Sequence, residues 1–495
     1  MLLTMPGITN TTEHTRDLDM ELDLMGQQPA LFKLYTQLAY IFSTPANFSQ
    51  SKTVDTLQRG LERLTAHFPW VAGQVVNTNT DPSGFPNYRI RPFEPIPRLV
   101  VKDLTNDSNA ATFSQLKEAR YPMSMLHESA WAPCPTLAAI GGFDPAKPSG
   151  DGTEPAPVFL LQANFIRGGL VLCINEQHNV ADMSGQEALI ALLSKACGGE
   201  AFTNEELRIG NMGRSNMVPL IEEEGWVPGK ELEPQLLPTE GPEKAVTQAP
   251  APDVAVPEPT PEPLPTCSWT YFTFSAAALH QLKDHTTRTL PHGFKGYITT
   301  DDALTALLFQ SVLRARWPRL SSDPDRTITV SRAIDARRYL NAPSTYPGIL
   351  QNMTYTSYPL STLLSVGLGV IAANMREQVD PKTCDVVYRT RSLATFLSQA
   401  PGNQAKVNFT ARLRLDADIM LSSWSKVNAY DCDFGFGVGE PEAVLRPAFL
   451  PVESLFYLMP KTRGGEVAAG LCLRQEDLER LKCDEEFSKY ASYVG

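Results

Sequence analysis

The sequence predicts an α/β protein of two domains joined by a proline-rich crossover, and three observations lead there. The chain has 495 residues, beyond the size at which one hydrophobic core stops growing, so two domains of roughly 200 residues or more are the default. Short apolar runs of strand length alternate with helix-period segments in both halves, and no G-x-G-x-x-G follows a strand, so the α/β pattern is not that of a simple nucleotide-binding wind. Finally, Val227 to Thr266 holds 11 of the 40 prolines, ending in Pro257-Glu258-Pro259-Thr260-Pro261-Glu262-Pro263-Leu264-Pro265. Proline at that spacing suits extended polyproline II and forbids a helix or a central strand. The expected division is therefore 1–226, a crossover 227–266, and 267–495.

Taken in order, Thr53 to Phe68 places Val54, Leu57, Leu61 and Leu64 at helical spacing, and Pro69 ends the helix. Trp70 to Val76 reads as a strand. Val158 to Asn164 and Gly169 to Ile174 read as buried strands of one hairpin turned at Arg167-Gly168. A helix from about Gln186 to Cys197 follows, with Ala188, Leu189, Leu192, Leu193 and Ala196 on its buried side. His178 thus stands where a strand ends and a helix is about to begin. Past the crossover, Ser268 to Phe274 and Thr327 to Ile334 read as strands. Thr300 to Arg316 reads as a helix with Asp301 and Asp302 in its first turn, where the helix dipole favours negative charge.

Composition excludes several classes. A formal net charge of −12 with no Lys/Arg cluster argues against a nucleic-acid partner. No apolar run approaches the ~20 residues that span a bilayer, and the N-terminus lacks the basic and apolar regions of a secretory signal. A soluble, cytoplasmic, monomeric protein is the expectation. The Asn-x-Ser/Thr matches at Asn10, Asn47, Asn106, Asn352 and Asn408 then have no glycosylating machinery to meet. The eight cysteines are scattered, with no CxxC pair and no His-rich companion, so structural thiols are expected and no metal site.

Of seven histidines, only His178 has an acidic residue and a glycine at a telling offset, in His178-Asn179-Val180-Ala181-Asp182-Met183-Ser184-Gly185. A second cluster is Ser422-Ser423-Trp424, followed by Asp433-Phe434-Gly435-Phe436-Gly437. A kinase reading of Asp433-Phe434-Gly435 fails, because no Gly-rich phosphate loop or H-R-D segment precedes it.

Together the two clusters resemble the paired H-x-x-x-D and D-F-G-W-G signatures of the BAHD acyltransferases, the fungal members most of all. Further matches run through Phe68-Pro69-Trp70-Val71-Ala72-Gly73, Asp302-Ala303-Leu304 and Ile334-Asp335-Ala336-Arg337. Two positions depart from the pattern: Phe436 stands where plant members have Trp, and Gln351 stands where many relatives have Gly before the Asn.

The resemblance implies two similar-sized chloramphenicol-acetyltransferase-like domains with a channel between them, coenzyme A entering from one face and the acceptor from the other. It implies that His178 is the general base, that the Trp424 indole N–H is the oxyanion donor, and that Ser422 lines the acceptor side. Asp182 would pair with Arg337 and fix the His loop rather than relay protons, with Asp433, Gly435 and Gly437 as structural support. No coenzyme A contact is assigned. The expected reaction moves an acyl group, acetyl first, from acyl-CoA to a hydroxyl of a fungal secondary metabolite such as a sesquiterpenoid. An imidazole with a pKa near 7 removes the hydroxyl proton as the C–O bond forms, a contribution of roughly 10²–10⁴-fold. With no G-x-S-x-G elbow, and with Cys173 inside a buried strand, direct transfer is expected rather than an acyl-enzyme. The competing readings are N-acylation of an amine, a condensation-type enzyme using a carrier-bound thioester, and an inactive binding module of the same shape.

Overall fold

The computed structural model describes residues 18–78, 86–93, 98–138, 155–238 and 266–495. Two large mixed sheets organise them. The first has five strands in the order Ala443–Leu445, Tyr35–Ser43, Gly169–Gln177, Phe159–Ile166, Leu99–Asp103, and only its last pair is parallel. The second has seven, in the order Gln351–Pro359, Thr327–Asp335, Ile419–Ser423, Leu455–Leu458, Val467–Arg474, Cys267–Phe274, Ser492–Tyr493. A smaller sheet joins Met20–Glu21, Tyr88–Arg91 and Gln74–Asn77.

The hairpin read from sequence is present, with Phe159–Ile166 antiparallel to Gly169–Gln177. Both strands are buried at every residue, which is why they appear as continuous apolar runs instead of alternating ones. The helix Gln50–His67 buries Leu57, Leu61 and Leu64 and stops before Pro69. It packs against the helix Met183–Cys197, which stands behind the candidate histidine. In the second half, the helix Thr300–Leu320 is buried on nearly all sides. It lies among the helices Ala276–Arg288, Leu368–Glu377 and Gln475–Lys482, so it shows no polar stripe.

Three sequence expectations need correction. Trp70 to Val76 is not one strand: Pro69–Ala72 forms a 3-10 turn and the strand is Gln74–Asn77. Proline fixes its own φ and supplies no N–H, and the Trp70 indole is drawn inward to donate to the Gly210 carbonyl at 2.9 Å. The second helix begins at Met183, three residues before the expected Gln186, because Asp182 caps it through the Gly185 N–H at 3.0 Å. Lastly, the segment from Val227 is not exposed crossover at its start. Leu232 is fully buried, and Leu236 bridges Val407. The Gln235 amide donates to the Asn352 side chain at 2.8 Å, so this stretch lies on the second half. The proline run itself, within 239–265, lies outside the described residues.

Nor do the sheets respect a cut at 226/267. Ala443–Leu445 leaves the second half and pairs with Ala39–Ile41 of the first sheet. One apolar cluster takes Leu172 and Leu189 from the first half together with Trp269, Trp424, Phe434 and Tyr457 from the second. The two halves therefore share a core, and the candidate site lies at their junction.

Candidate active site

The strand Gly169–Gln177 delivers His178 at its C-terminal end. Gln177 anchors that end, accepting from the Lys33 N–H at 3.1 Å and donating to the Ala156 carbonyl at 2.9 Å. The backbone N–H of His178 donates to the Leu34 carbonyl at 2.7 Å. Its ring Nδ1 lies 3.1 Å from the Ala181 carbonyl. A carbonyl only accepts, so Nδ1 carries the proton and Nε2 keeps its lone pair. The ring is half-buried. Burial lowers its pKa below the ordinary 6.5, with Arg446 adding to the decrease and the Asp182 carboxylate opposing it. A neutral imidazole with Nε2 free is the form that accepts a proton. The five other described histidines, His67, His127, His280, His285 and His292, are all exposed; His14 lies outside the described residues.

Asp182 engages the other half rather than the imidazole. Arg337 grips it with two parallel bonds, Nη2 to Oδ1 at 2.8 Å and Nη1 to Oδ2 at 2.9 Å, the fork geometry that favours guanidinium for carboxylate. The remaining lone pairs take the Gly185 N–H and, at 2.8 Å, the Leu350 N–H. Arg337 also donates to the carbonyls of Tyr346 and Gly348 at 2.9 and 2.7 Å. Burial opposes its charge, but Asp182 and Asp335 outweigh that and raise its pKa. The glycine of the motif has a steric reason: a Cβ on Gly185 would lie 2.6 Å from the Pro347 carbonyl oxygen. Only a bare Cα lets the 346–350 segment settle on this helix start.

Ser422 and Trp424 stand at the end of the strand Ile419–Ser423. The indole N–H donates to the Ser422 hydroxyl at 2.9 Å. The ring is buried and meets Tyr457 at 4.8 Å between centroids. Both residues line a cavity of about 670 Å³ between the halves. Asp182, Met183, Ser184 and Glu187 line it from the first half; Arg332, Arg338, Arg376 and Lys426 line it from the second. His178 is not on that wall, although Asp182, at the far end of its loop, is. Arg332 and Arg376 are both paired with Asp302, whereas Arg338 and Lys426 have no carboxylate partner among the described residues.

The Asp433 segment is built differently. Phe434 is fully buried and packs edge-on against Tyr40 and Phe42 at 5.3 and 6.2 Å. Phe436 stacks on Phe434 at 5.6 Å. Asp433 accepts from the Gly435 N–H at 2.9 Å, closing a tight turn. Gly435 and Gly437 have φ of +65° and +73°, and Gly435 also abuts Gly198 at the end of the helix Met183–Cys197, which follows the histidine loop. The segment docks the second half on the first sheet and contributes no group to His178.

Sequence reasoning missed three charged residues here. Arg446 is buried, with its guanidinium 5.4 Å from the Trp424 ring centre and 4.6 Å from that of Tyr457. Asp23 and Arg214 lie behind the histidine loop. None belongs to a motif, and Asp23 is only the last of the alternating acidic residues Asp17, Asp19, Glu21 and Asp23, so a single sequence carries no signal that singles it out. The thiol of Cys173 is fully buried and burial pushes its pKa well up, which removes it as a nucleophile. No helix among the described residues is long and apolar enough to cross a membrane, and none of their His, Cys, Asp and Glu side chains form a metal-holding group of three or more.

Comparison with known proteins adds the family. Residues 34–197 match the trichothecene 3-O-acetyltransferase-like N-terminal domain, and residues 135–488 match the transferase family. A trichothecene 3-O-acetyltransferase of Fusarium sporotrichioides is 43% identical over 97% of this chain and 98% of its own. An O-acetyltransferase of a Cryptosporiopsis species is 42% identical over 97% and 98%. A crystal structure of the F. sporotrichioides enzyme with coenzyme A and T-2 superposes with a TM-score of 0.83 at 41% identity, covering 97% of this chain and all of that one.

Proposed function

The chain belongs to the BAHD transferase family and carries its trichothecene 3-O-acetyltransferase-like N-terminal domain; from that premise we propose that His178 is the general base of a coenzyme A dependent O-acetyltransferase acting on a hydroxyl of a fungal secondary metabolite. The relatives are named for O-acetyl transfer, and acetyl-CoA is the co-substrate. The observation that carries the residue assignment is the locked imidazole, whose Nδ1 is held by the Ala181 carbonyl while Nε2 stays free.

Nε2 of His178 takes the hydroxyl proton of the acceptor as its oxygen attacks the thioester carbonyl. The C–O bond forms, and the carbonyl electrons move onto oxygen as a tetrahedral oxyanion. That oxyanion collapses and breaks the C–S bond; the leaving coenzyme A thiolate takes the proton from His178, which returns to neutral. The Trp424 N–H, which donates to Ser422 in the free protein, turns to the oxyanion. A donor to the oxyanion is worth up to about 10²–10³-fold, less the cost of giving up its bond to Ser422. Ser422, relieved of that bond, faces the acceptor. Asp182 and Arg337 hold the loop and take no proton, and Asp433, Gly435 and Gly437 hold the halves in register.

The cavity between the halves suits an extended thioester, and its two unneutralised cations, Arg338 and Lys426, suit the phosphates of coenzyme A. A sesquiterpenoid alcohol is the acceptor this reading favours, since a relative 43% identical is named for 3-O-acetylation of trichothecenes, while one of near-equal identity is named only for O-acetyl transfer. We take the protein to act as a monomer in the cytoplasm, and its eight unpaired cysteines support the reducing compartment.

The test is release of free coenzyme A thiol from acetyl-CoA with a panel of sesquiterpenoid alcohols. Acceptor-dependent release by the wild type, abolished in folded His178→Ala, is the expected result. Undiminished turnover in that variant overturns the base assignment.

A further inference from the structure

Two arginine–aspartate pairs, not one, converge on the loop that carries His178. Asp182 accepts from the Leu350 N–H at 2.8 Å, and Asp23 accepts from the adjacent Ile349 N–H at 3.0 Å. Each carboxylate has its own guanidinium: Arg337 on Asp182 at 2.8 Å, and Arg214 4.0 Å from Asp23. Arg337 spends its other donors within the second half, on Asp335 and on the Tyr346 and Gly348 carbonyls. Arg214 instead reaches into the histidine loop, where its Nη1 donates to the Val180 carbonyl at 2.5 Å.

That carbonyl is one residue from the Ala181 carbonyl that holds the His178 ring. The Asp23 side is equally close: Asp23 caps the turn at Gly26, and a Cβ on Gly26 would lie 2.3 Å from the Asn179 carbonyl oxygen. Residues 179 and 180 are thus held from behind by one turn and one arginine. Arg214 is itself held, lying 4.8 Å from the Trp70 ring centre and 3% exposed.

The pair makes poor sense as a stability device. A buried ion pair offsets its desolvation only with close geometry, and 4.0 Å is not close. Burial raises Asp23 to about 6, with Arg214 only partly opposing it. A buried arginine whose best bond goes to a backbone carbonyl in a catalytic loop is placed to set that loop's conformation.

We propose that Arg214, held by Asp23 and Trp70, is a positioning residue for His178: by gripping the Val180 carbonyl it fixes the Ala181 carbonyl that locks the imidazole as the Nδ1–H tautomer. The inference rests on His178 being the base, but its readout does not depend on turnover.

The experiment uses the full chain labelled with ¹⁵N-histidine, with the His178 resonances identified by their loss in His178→Ala. The wild type shows one Nδ1–H tautomer. Arg214→Met is expected to show mixed tautomers and a His178 pKa closer to its ordinary value. Arg214→Lys, which keeps one donor, falls between them. In acetyl transfer, kcat of Arg214→Met falls about 10²-fold, the scale of a misplacement near 1 Å, while the KM for acetyl-CoA changes little. A wild-type tautomer and pKa in folded Arg214→Met overturn the proposal, as does Arg214→Lys behaving no better than the Met variant. If Arg214→Met does not fold, Asp23→Asn with Arg214→Lys carries the same test: unchanged His178 spectra in both overturn it. Should His178→Ala keep its turnover, the base assignment fails while the tautomer result still decides the positioning role.

Discussion

The histidine loop and the Asp433–Gly437 turn are both short and both at the junction of the halves, yet opposite forces hold them. The loop is fixed by charge: Asp182 receives four donors, two of them from Arg337. The turn is fixed by rings, with Phe434 buried on Tyr40 and Phe42. Charge-assisted bonds specify direction, and ring packing specifies volume. A base must be aimed; a joint between domains only has to be filled. The difference predicts that the first motif tolerates substitution less than the second, where the ring of Phe436 can change size.

The contrast breaks most sharply at the imidazole. His178→Ala is expected to lose about 10²–10⁴-fold in kcat with no drop in Tm, and a Tm loss matching the activity loss would mark the residue as structural. Next comes the charge clamp. Arg337→Met leaves Asp182 buried without its partner, at a cost of about 3–5 kcal/mol. Denaturant melts should show that cost, and the turnover of the remaining folded molecules should fall too. Phe434→Ala tests the other region with a similar penalty of about 3–5 kcal/mol, but kcat per folded molecule should stay at wild type. Equal kcat losses in these two variants would erase the distinction.

A smaller effect is read from pH. Burial lowers the His178 pKa, so the acid limb of kcat/KM should fall below 6.5, with activity kept above it and lost as pH drops through the lowered value. The same group contributes stability above its unfolded pKa and loses it in that acid range. A limb at or above 6.5 would mean that the ring is better hydrated than the fold indicates. The smallest change is Phe436→Trp, a half-buried ring exchanged for a larger one, expected to shift stability by under about 1.5 kcal/mol and leave kcat alone.

How far these regions were legible differs for the same reason. The strand before His178 was readable because it is buried on both faces, and the C-terminal end of Gln50–His67 because Pro69 stops a helix wherever it stands, whereas its start lies three residues before the expected Thr53. The start of Met183–Cys197 was misplaced by three residues, since a cap counts only once its side chain turns back on the helix. The segment from Val227 was misread because its prolines outweighed Leu232, which joins an apolar cluster with Met25 and Tyr346, and Leu236, which bridges the distant Val407. Resemblance supplied the pairing of Asp182 with Arg337; spacing alone offers no means of choosing among the arginines.

By itself the sequence determined the local matters: which runs are strands or helices, that a histidine follows one of them with Asp182 and Gly185 at set offsets, and that the chain exceeds one core. These follow from periodicity and backbone chemistry, which act over a few residues. Only the tertiary structure decided that Ala443–Leu445 crosses into the first sheet, that Pro347 explains Gly185, and that Asp23 and Arg214 stand behind the base. Those depend on which distant groups burial brings within hydrogen-bond range, and no local pattern records that.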